Sequence, residues 1–242
     1  MASNSEEHGR EERVLALQVG DEVPDFFAES TVGCFRYHDM IDGIWNVLIS
    51  LADVFHPVST TEIGHLAKLC HEFEARNARI FGIVPEANLP LLRRWIKQVE
   101  ELEACTLNFA LISDPDQNIC SQFGVSSKAG TALIITDIDK RIRFISQYPI
   151  STGRNFFETI RVLDALQLAF FQQVATPANW SHGLDLFLQP QISTLAARAT
   201  FPKGIIETRH WFRITPPVSH NSAAILSNNT HKNSTSSTAN PP

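Results

Sequence analysis

The chain alternates between two hydrophobic periods, and this alternation restricts its fold more than any other feature of the sequence. Residues 32–37 and 45–51 are apolar or β-branched runs typical of strands. From residue 60 to about residue 76 the apolar residues recur instead at three- and four-residue steps, as they do on one face of a helix. A strand-like run returns at 79–84. This first stretch therefore predicts strands that are connected by a helix.

The alternation continues as far as residue 171. Pro90 suits the first turn of a second helix, and a further strand is predicted at 109–113. The next segments are a short helix at 116–123, two strands at 131–136 and 141–147 around a turn at 137–140, and a long helix at 154–171. Parallel neighbours need crossover connections, whereas a hairpin adds antiparallel strands. The order thus predicts an α/β, thioredoxin-like fold, in which helices flank a mixed central sheet.

The two ends and the region after residue 173 differ from this pattern. Residues 1–13 are charged, and residues 218–242 are rich in Ser, Asn and Thr, so both are predicted to be disordered tails. Residues 14–173 are predicted to form the thioredoxin-like domain. Residues 174–217 are punctuated by prolines and irregular, so we assign them to a small C-terminal module.

Charge and cysteine spacing exclude several classes of function. The net charge is −6 and the 20 basic residues are scattered, so no basic stripe is available for nucleic acid. The N-terminus is acidic, and no apolar run reaches the roughly 18 residues of a membrane span, so we expect a soluble, cytoplasmic protein. No CxxC pair is present, so neither a metal site nor a dithiol motif is indicated. The four cysteines, which we expect to be reduced, are Cys34, Cys70, Cys105 and Cys120.

Several short strings occur in a characteristic order over about 200 residues. They are GDEVPDF at 20–26, PVSTTE at 57–62, YP at 148–149, STGRNF at 151–156, VATPANW at 174–180 and FPKG at 201–204. In these strings the chain resembles the peroxiredoxins of the one-Cys subfamily, the peroxiredoxin 6 type. The last two lie in that subfamily's small C-terminal module. The resemblance implies a cysteine-dependent peroxidase for hydrogen peroxide and organic or lipid hydroperoxides that needs no cofactor or metal. It also implies a homodimer, or a heterodimer with active relatives.

The same resemblance shows that the catalytic set is replaced. It aligns Pro57 with the site motif and places Ser59 where the family has its peroxidatic cysteine. The positions of the upstream proline, the threonine and the distant arginine are occupied by Ala52, His56 and Leu133. A serine hydroxyl is hardly ionised near neutral pH, and oxygen cannot be oxidised to a sulfenic acid. We therefore predict an inactive peroxiredoxin that acts as a scaffold or binds partners.

Other positions of the family site are retained. Glu62 and Arg154 match a carboxylate and a second arginine, and we predict an ion pair between them. His38 and Asp139 match part of a Ser-His-Asp phospholipase arrangement described for the subfamily. The place of its serine falls on Ile44, so the nucleophile is absent and His38 is predicted to be structural.

Two enzymatic alternatives remain open at this point. The first is weak thiol peroxidase activity through an outlying cysteine. Cys105 is the best candidate, because it lies between Ala104 and Thr106 in a turn that we expect to be exposed, although no cationic neighbour that would lower its pKa is evident. Cys70 cannot reach the same pocket, because it lies eleven residues beyond Ser59, roughly 16 Å along a helix that rises about 1.5 Å per residue. The second is a hydrolase in which His56 activates Ser59, although residues three apart at the start of a helix seldom align in this way.

Overall fold

The computed structural model describes residues 17–124 and 130–217, so both predicted tails lie outside the described part of the chain. The described residues form the following strands and helices in chain order: β1 (Phe27–Ser30), β2 (Gly33–Arg36), α1 (Tyr37–Met40), β3 (Trp45–Ser50), α2 (Pro57–Glu74), β4 (Ala78–Pro85), α3 (Leu89–Glu103), β5 (Ala110–Asp114), α4 (Asn118–Gln122), β6 (Thr131–Thr136), β7 (Ile142–Tyr148), α5 (Phe156–Gln172), β8 (Val174–Ala175), β9 (Leu186–Leu188), α6 (Thr194–Thr200), β10 (Ile206–Arg209) and β11 (Phe212–Thr215). Every helix and strand predicted between residues 45 and 171 is present, with ends that differ from the prediction by at most three residues.

The larger sheet is mixed, as predicted. It has seven strands in the order β2-β1-β5-β4-β3-β6-β7. Strands β4 and β5 are parallel, whereas β6 is antiparallel to both β3 and β7. All six residues of β3 are buried, which explains why its apolar residues Val47, Leu48 and Ile49 are consecutive rather than alternating with polar ones. The predicted α/β fold class is therefore confirmed.

Local sequence signals explain the ends of helix α3. The side chain of Asn88 accepts a hydrogen bond from the backbone N of Leu91, and Pro90 occupies the first turn. The helix ends where Ala104 adopts a left-handed conformation with a φ of 48°. The buried face of the helix consists of Leu92, Trp95 and Val99.

The segment before β3 differs from the prediction of one strand at 32–37. The chain forms two four-residue strands, β1 and β2, and Tyr37 begins helix α1. The Ser30 hydroxyl donates a hydrogen bond to the carbonyl oxygen of Gly33 at 2.6 Å, and Gly33 has a φ of 114°, which favours glycine. This tight turn folds β2 back onto β1. The sequence shows no turn dipeptide there, so the first strand was missed.

The chain divides into two compact units. Of the described residues, the first unit comprises 17–68, 79–124 and 130–153, and its core contains Val23, Phe81 and Ile112. The second comprises the described residues 69–78 and 154–217. It contains a four-stranded antiparallel sheet in the order β10-β11-β9-β8, where the sequence indicated only irregular structure. The boundary predicted at residues 173 and 174 stays a prediction.

Within the described ranges, no helix has both the length and the apolar character that crossing a membrane requires. The same residues contain no group of three or more His, Cys, Asp or Glu side chains arranged to hold a metal ion.

Candidate functional site

Ser59 lies in the first turn of α2. The helix begins at Pro57, whose fixed φ suits this position, and the carbonyl oxygen of His56 accepts a hydrogen bond from the backbone N of Thr60 at 2.9 Å. The serine is only 2% exposed. The N-terminus of a helix carries a partial positive charge. The predicted site residue is thus a buried hydroxyl at the positive end of an 18-residue helix.

The imidazole of His56 is not hydrogen-bonded to this hydroxyl within the described residues. Its Nδ1 atom is buried and has no hydrogen-bond partner in the described part of the chain. No hydrogen bond joins His56 to Ser59 there. The preceding residue, Phe55, has a φ of 57°, and the guanidinium carbon of Arg94 lies 5.2 Å from its ring centroid. This cation–π contact packs Arg94 of α3 against the loop that precedes α2.

Leu133 is a core residue of the sheet. It lies in β6, where its Cα pairs with that of Ile49 on β3 and that of Ser146 on β7. The side chain is 1% exposed and offers no hydrogen-bond donor. Ala52, just beyond β3, is half-buried and equally without a polar group. Neither position supplies a cation or a donor.

The loop that follows β7 reaches the first turn of α2. A Cβ atom on Gly153 would lie 3.5 Å from Cγ1 of Val58. Glu62 and Arg154 are both buried, at 4% and 9% exposure. The ion pair between them stays a prediction.

His38 is held by backbone and carboxylate partners. Its Nε2 donates to the carbonyl oxygen of Val23 at 2.8 Å, and its backbone N donates to Oδ1 of Asp25 at 3.0 Å. Arg36 donates to the other carboxylate oxygen of Asp25. Burial raises the pKa of Asp25, but the hydrogen bonds from His38 and Arg36 outweigh it, so the pKa lies below its usual value. The structural role of His38 stays a prediction.

The turn between β6 and β7 contains a buried carboxylate that the sequence analysis missed. Asp137 is fully buried and accepts hydrogen bonds from the backbone N atoms of Asp139 and Arg141 and from Nε of Arg143. Asp139 itself is exposed. The only sequence signal is an aspartate at the first position of a turn, and such residues commonly accept bonds from the backbone two residues on. The role of Asp137 is to close the hairpin.

The environments of two of the four cysteines disfavour the thiolate form. Burial raises the pKa of Cys70 to about 11, and the nearby Glu74 carboxylate adds to the effect. Burial also raises the pKa of Cys120, and Asp114 contributes in the same direction. A nucleophilic cysteine needs a lowered pKa, because the thiolate is the reactive form. The environments of Cys70 and Cys120 instead raise the pKa of the thiol.

Cys105 differs in part from the sequence-based expectation. It is half-buried rather than exposed, and Lys68 is a cationic neighbour. Burial nevertheless raises its pKa, and Glu100 and Glu103 add to the rise against the opposing effect of Lys68. Cys34 is the exposed thiol, on strand β2. No disulfide links these cysteines, so all four are free.

Comparison with known proteins identifies the protein family of the chain and then its type within that family. Residues 19–145 match a family model described as the AhpC/TSA family, and residues 165–204 match one described as the C-terminal domain of 1-Cys peroxiredoxin. A seven-stranded thioredoxin-like domain followed by this module defines a peroxiredoxin. The chain belongs to the AhpC/TSA family and is of the one-Cys peroxiredoxin type. The family resemblance and the fold class predicted from the sequence are confirmed.

The relatives extend over most of the chain. A 1-Cys peroxiredoxin from Dictyostelium discoideum is 36% identical over 206 residues, which cover 83% of this chain and 85% of that protein. Peroxiredoxin-6 from Gallus gallus is 33% identical over 219 residues, covering 83% and 97%.

Solved structures agree with these matches. A yeast mitochondrial 1-Cys peroxiredoxin superimposes with a TM-score of 0.79 at 31% identity, covering 83% of this chain and 99% of that one. A cysteine-to-serine mutant of Peroxiredoxin 6 from Arenicola marina gives a TM-score of 0.76 at 28% identity, covering 84% and 100%.

Proposed function

We propose that this chain is a one-Cys peroxiredoxin without peroxidase activity, whose fold serves as a scaffold or binds partners. The observation that carries the proposal is Ser59. It is a buried hydroxyl in the first turn of α2, where the family resemblance places the peroxidatic cysteine. The other replaced positions and the thiol environments support the same conclusion.

The chemistry of oxygen explains why Ser59 ends turnover. In the family reaction a thiolate sulfur attacks a peroxide oxygen, the O–O bond breaks, and the sulfur becomes a sulfenic acid. The N-terminus of α2 favours an anion because of its partial positive charge. A serine hydroxyl nevertheless stays protonated near neutral pH unless a base removes its proton. No hydrogen bond from His56 reaches Ser59 among the described residues. Even an alkoxide has no oxidation step equivalent to sulfenic acid formation.

The other replaced positions support a complete loss of the family's catalytic set rather than the exchange of a single residue. A transition state that develops negative charge is stabilised by donors and cations placed in advance. Leu133 offers only hydrocarbon at the position of the family arginine, and Ala52 only a methyl group at the position of the proline. His56 replaces the threonine hydroxyl with an imidazole whose Nδ1 has no partner in the described residues.

Neither enzymatic alternative gains support from the geometry. The pKa values of Cys70, Cys105 and Cys120 are all raised. The pKa of Cys70 is raised to about 11, so roughly one Cys70 side chain in ten thousand is a thiolate at pH 7. A Ser59 hydrolase lacks its serine–histidine hydrogen bond. The proposal therefore excludes turnover through these groups.

The partner is a second copy of this chain or an active relative. Strand β7 is the last strand of the larger sheet among the described residues, and a strand at the edge of a sheet can pair with a strand of another chain. Phe144 and Ile145 on this strand are half-buried, so further apolar area is available for burial. Pairing of identical patches around a two-fold axis is the usual solution. We further propose a cytoplasmic homodimer that also exchanges subunits with active peroxiredoxins.

The test is hydrogen peroxide consumption in the presence of excess dithiothreitol, with an active one-Cys relative as positive control. We expect the purified chain to consume no peroxide above the blank. Turnover that disappears in a Cys105→Ser variant would contradict the proposal. Size-exclusion chromatography with light scattering, alone and after mixing with the active relative, tests the assembly, and a monomer under both conditions would refute that part.

A further inference from the structure

An open groove on the first unit, separate from Ser59, has the composition of a ligand site. Its volume is about 410 Å³. This value falls within the roughly 300–1,000 Å³ typical of small-molecule sites. One face of α3, the turn between β1 and β2, and the segment leading into β5 form its walls. None of its lining residues belongs to the replaced catalytic set.

Helix α3 presents two different faces, and only one of them is used in the core. The core face carries the fully buried Leu92, Trp95 and Val99. The adjacent face carries Arg93, Ile96, Lys97 and Glu100, which recur at three- and four-residue steps and line the groove. This second face places one apolar side chain between two cationic ones.

The floor of the groove is apolar. Phe109 is buried, and Ile96 and Leu107 are half-buried beside it. Val32 lines the groove from the turn between β1 and β2 and is 63% exposed. A hydrocarbon chain lying on these residues would remove apolar area from water, which favours binding in proportion to the area covered.

The charges of the groove favour a single negative charge in a ligand. Neither Arg93 nor Lys97 forms an ion pair with a carboxylate in the described ranges, and Arg93 only approaches the carbonyl oxygen of Thr31 at 3.5 Å. The acid of the groove, Glu100, accepts a hydrogen bond from the backbone N of Leu107 at 2.8 Å. Two cations and one carboxylate leave a net charge of +1, although the whole chain carries −6.

We propose that this groove binds an organic monocarboxylate with an unbranched apolar chain. Its carboxylate pairs with Lys97 and Arg93, and its chain lies over Ile96, Leu107 and Val32. Charge-assisted hydrogen bonds to Arg and Lys orient the head group, while the apolar floor holds the chain. Glu100 disfavours a second negative charge. Binding involves no covalent step and does not depend on whether the chain has peroxidase activity.

Isothermal titration of the full chain with decanoate, below its micelle concentration, tests the proposal. We expect saturable one-to-one binding, and decanol and decylamine should bind at least about tenfold more weakly, because they lack the carboxylate. Lys97→Glu should weaken decanoate binding about tenfold, whereas Lys97→Arg should stay within about twofold. Arg198→Glu reverses an equally exposed cation outside the groove and should leave the affinity unchanged.

Several results would overturn the proposal. Among them are the absence of saturable binding, equal affinity for decanol and decanoate, and unchanged decanoate affinity in Lys97→Glu. A Val32→Asp variant gives a second test, because it changes an exposed side chain and is expected to fold. Loss of decanoate binding in that variant, with an unchanged circular dichroism spectrum, supports the site, and retained affinity contradicts it.

Discussion

Replacing Ser59 with cysteine is expected to restore the nucleophile without restoring fast peroxide reduction. The new sulfur would lie in the first turn of α2, at a position that is 2% exposed. The helix N-terminus lowers the pKa of a thiol there, while burial raises it. The thiolate would lack the two groups that the family resemblance assigns to its support, because Leu133 and His56 occupy their positions.

The size of the deficit follows from the missing donors. Removal of one preorganised donor to a developing negative charge costs about a hundredfold to a thousandfold in rate. Two such groups are absent here, and neighbouring effects are not fully additive. The Ser59→Cys variant should therefore reduce peroxide at least about a thousandfold more slowly than an active one-Cys relative.

Stopped-flow measurement of peroxide loss, combined with intact-mass detection of the sulfenic acid, gives the rate. Ser59→Ala is the matched control without a thiol and should be inactive. Adding His56→Thr and Leu133→Arg to Ser59→Cys should raise the rate above that of the single variant, provided that circular dichroism shows a folded protein. A single Ser59→Cys variant within about tenfold of the active relative would refute the reasoning, because one donor alone is worth more than that.

Three further predictions concern stability and thiol reactivity. Asp164→Ala removes the bidentate partner of Arg76, whose bonds are 2.6 and 3.1 Å long, and should lower the free energy of unfolding in urea by about 2 kcal/mol. If the substitution lowers the free energy of unfolding by less than about 0.5 kcal/mol, the pair contributes no more than an exposed surface ion pair does. In native protein a thiol-specific disulfide reagent should label Cys34 first, and labelling of Cys70 should accelerate about tenfold per pH unit below its pKa of about 11. Because the folded pKa of Asp25 is lowered, its contribution to stability is present above its ordinary value of 3.8 and is lost as the pH falls below that value. The unfolding free energies of wild type and Asp25→Asn should therefore converge under acid, and a constant difference from pH 7 to pH 2.5 would be inconsistent with this.

Strong periodic patterns made most of the fold predictable. The helical stripe that contains Leu92 and Trp95 predicts a helix, and the mostly apolar run of β3 predicts a buried strand. Strand β1 was missed because it has only four residues and its alternation is too short to recognise. The C-terminal sheet was missed for the same reason, since β8 and β9 have two and three residues. In both places tertiary pairing, not local pattern, makes the strands.

The candidate site was predictable only where a motif is contiguous. Ser59 and His56 share one short string with Pro57, so their place at the start of α2 followed from the sequence. The contacts of His38 depend on residues 13 and 15 positions away, and no spacing rule indicates them. The raised pKa of Cys105 likewise depends on burial that the loop sequence does not show.

The central claim is that Ser59 has replaced the reactive sulfur and that no other thiol has taken over its role. Intact mass spectrometry of the reduced protein after exposure to one equivalent of hydrogen peroxide tests this claim most directly. We expect the mass to stay unchanged over the time in which an active one-Cys relative is fully oxidised. Rapid, stoichiometric addition of one oxygen, located on any of the four cysteines by peptide mapping, would contradict the account.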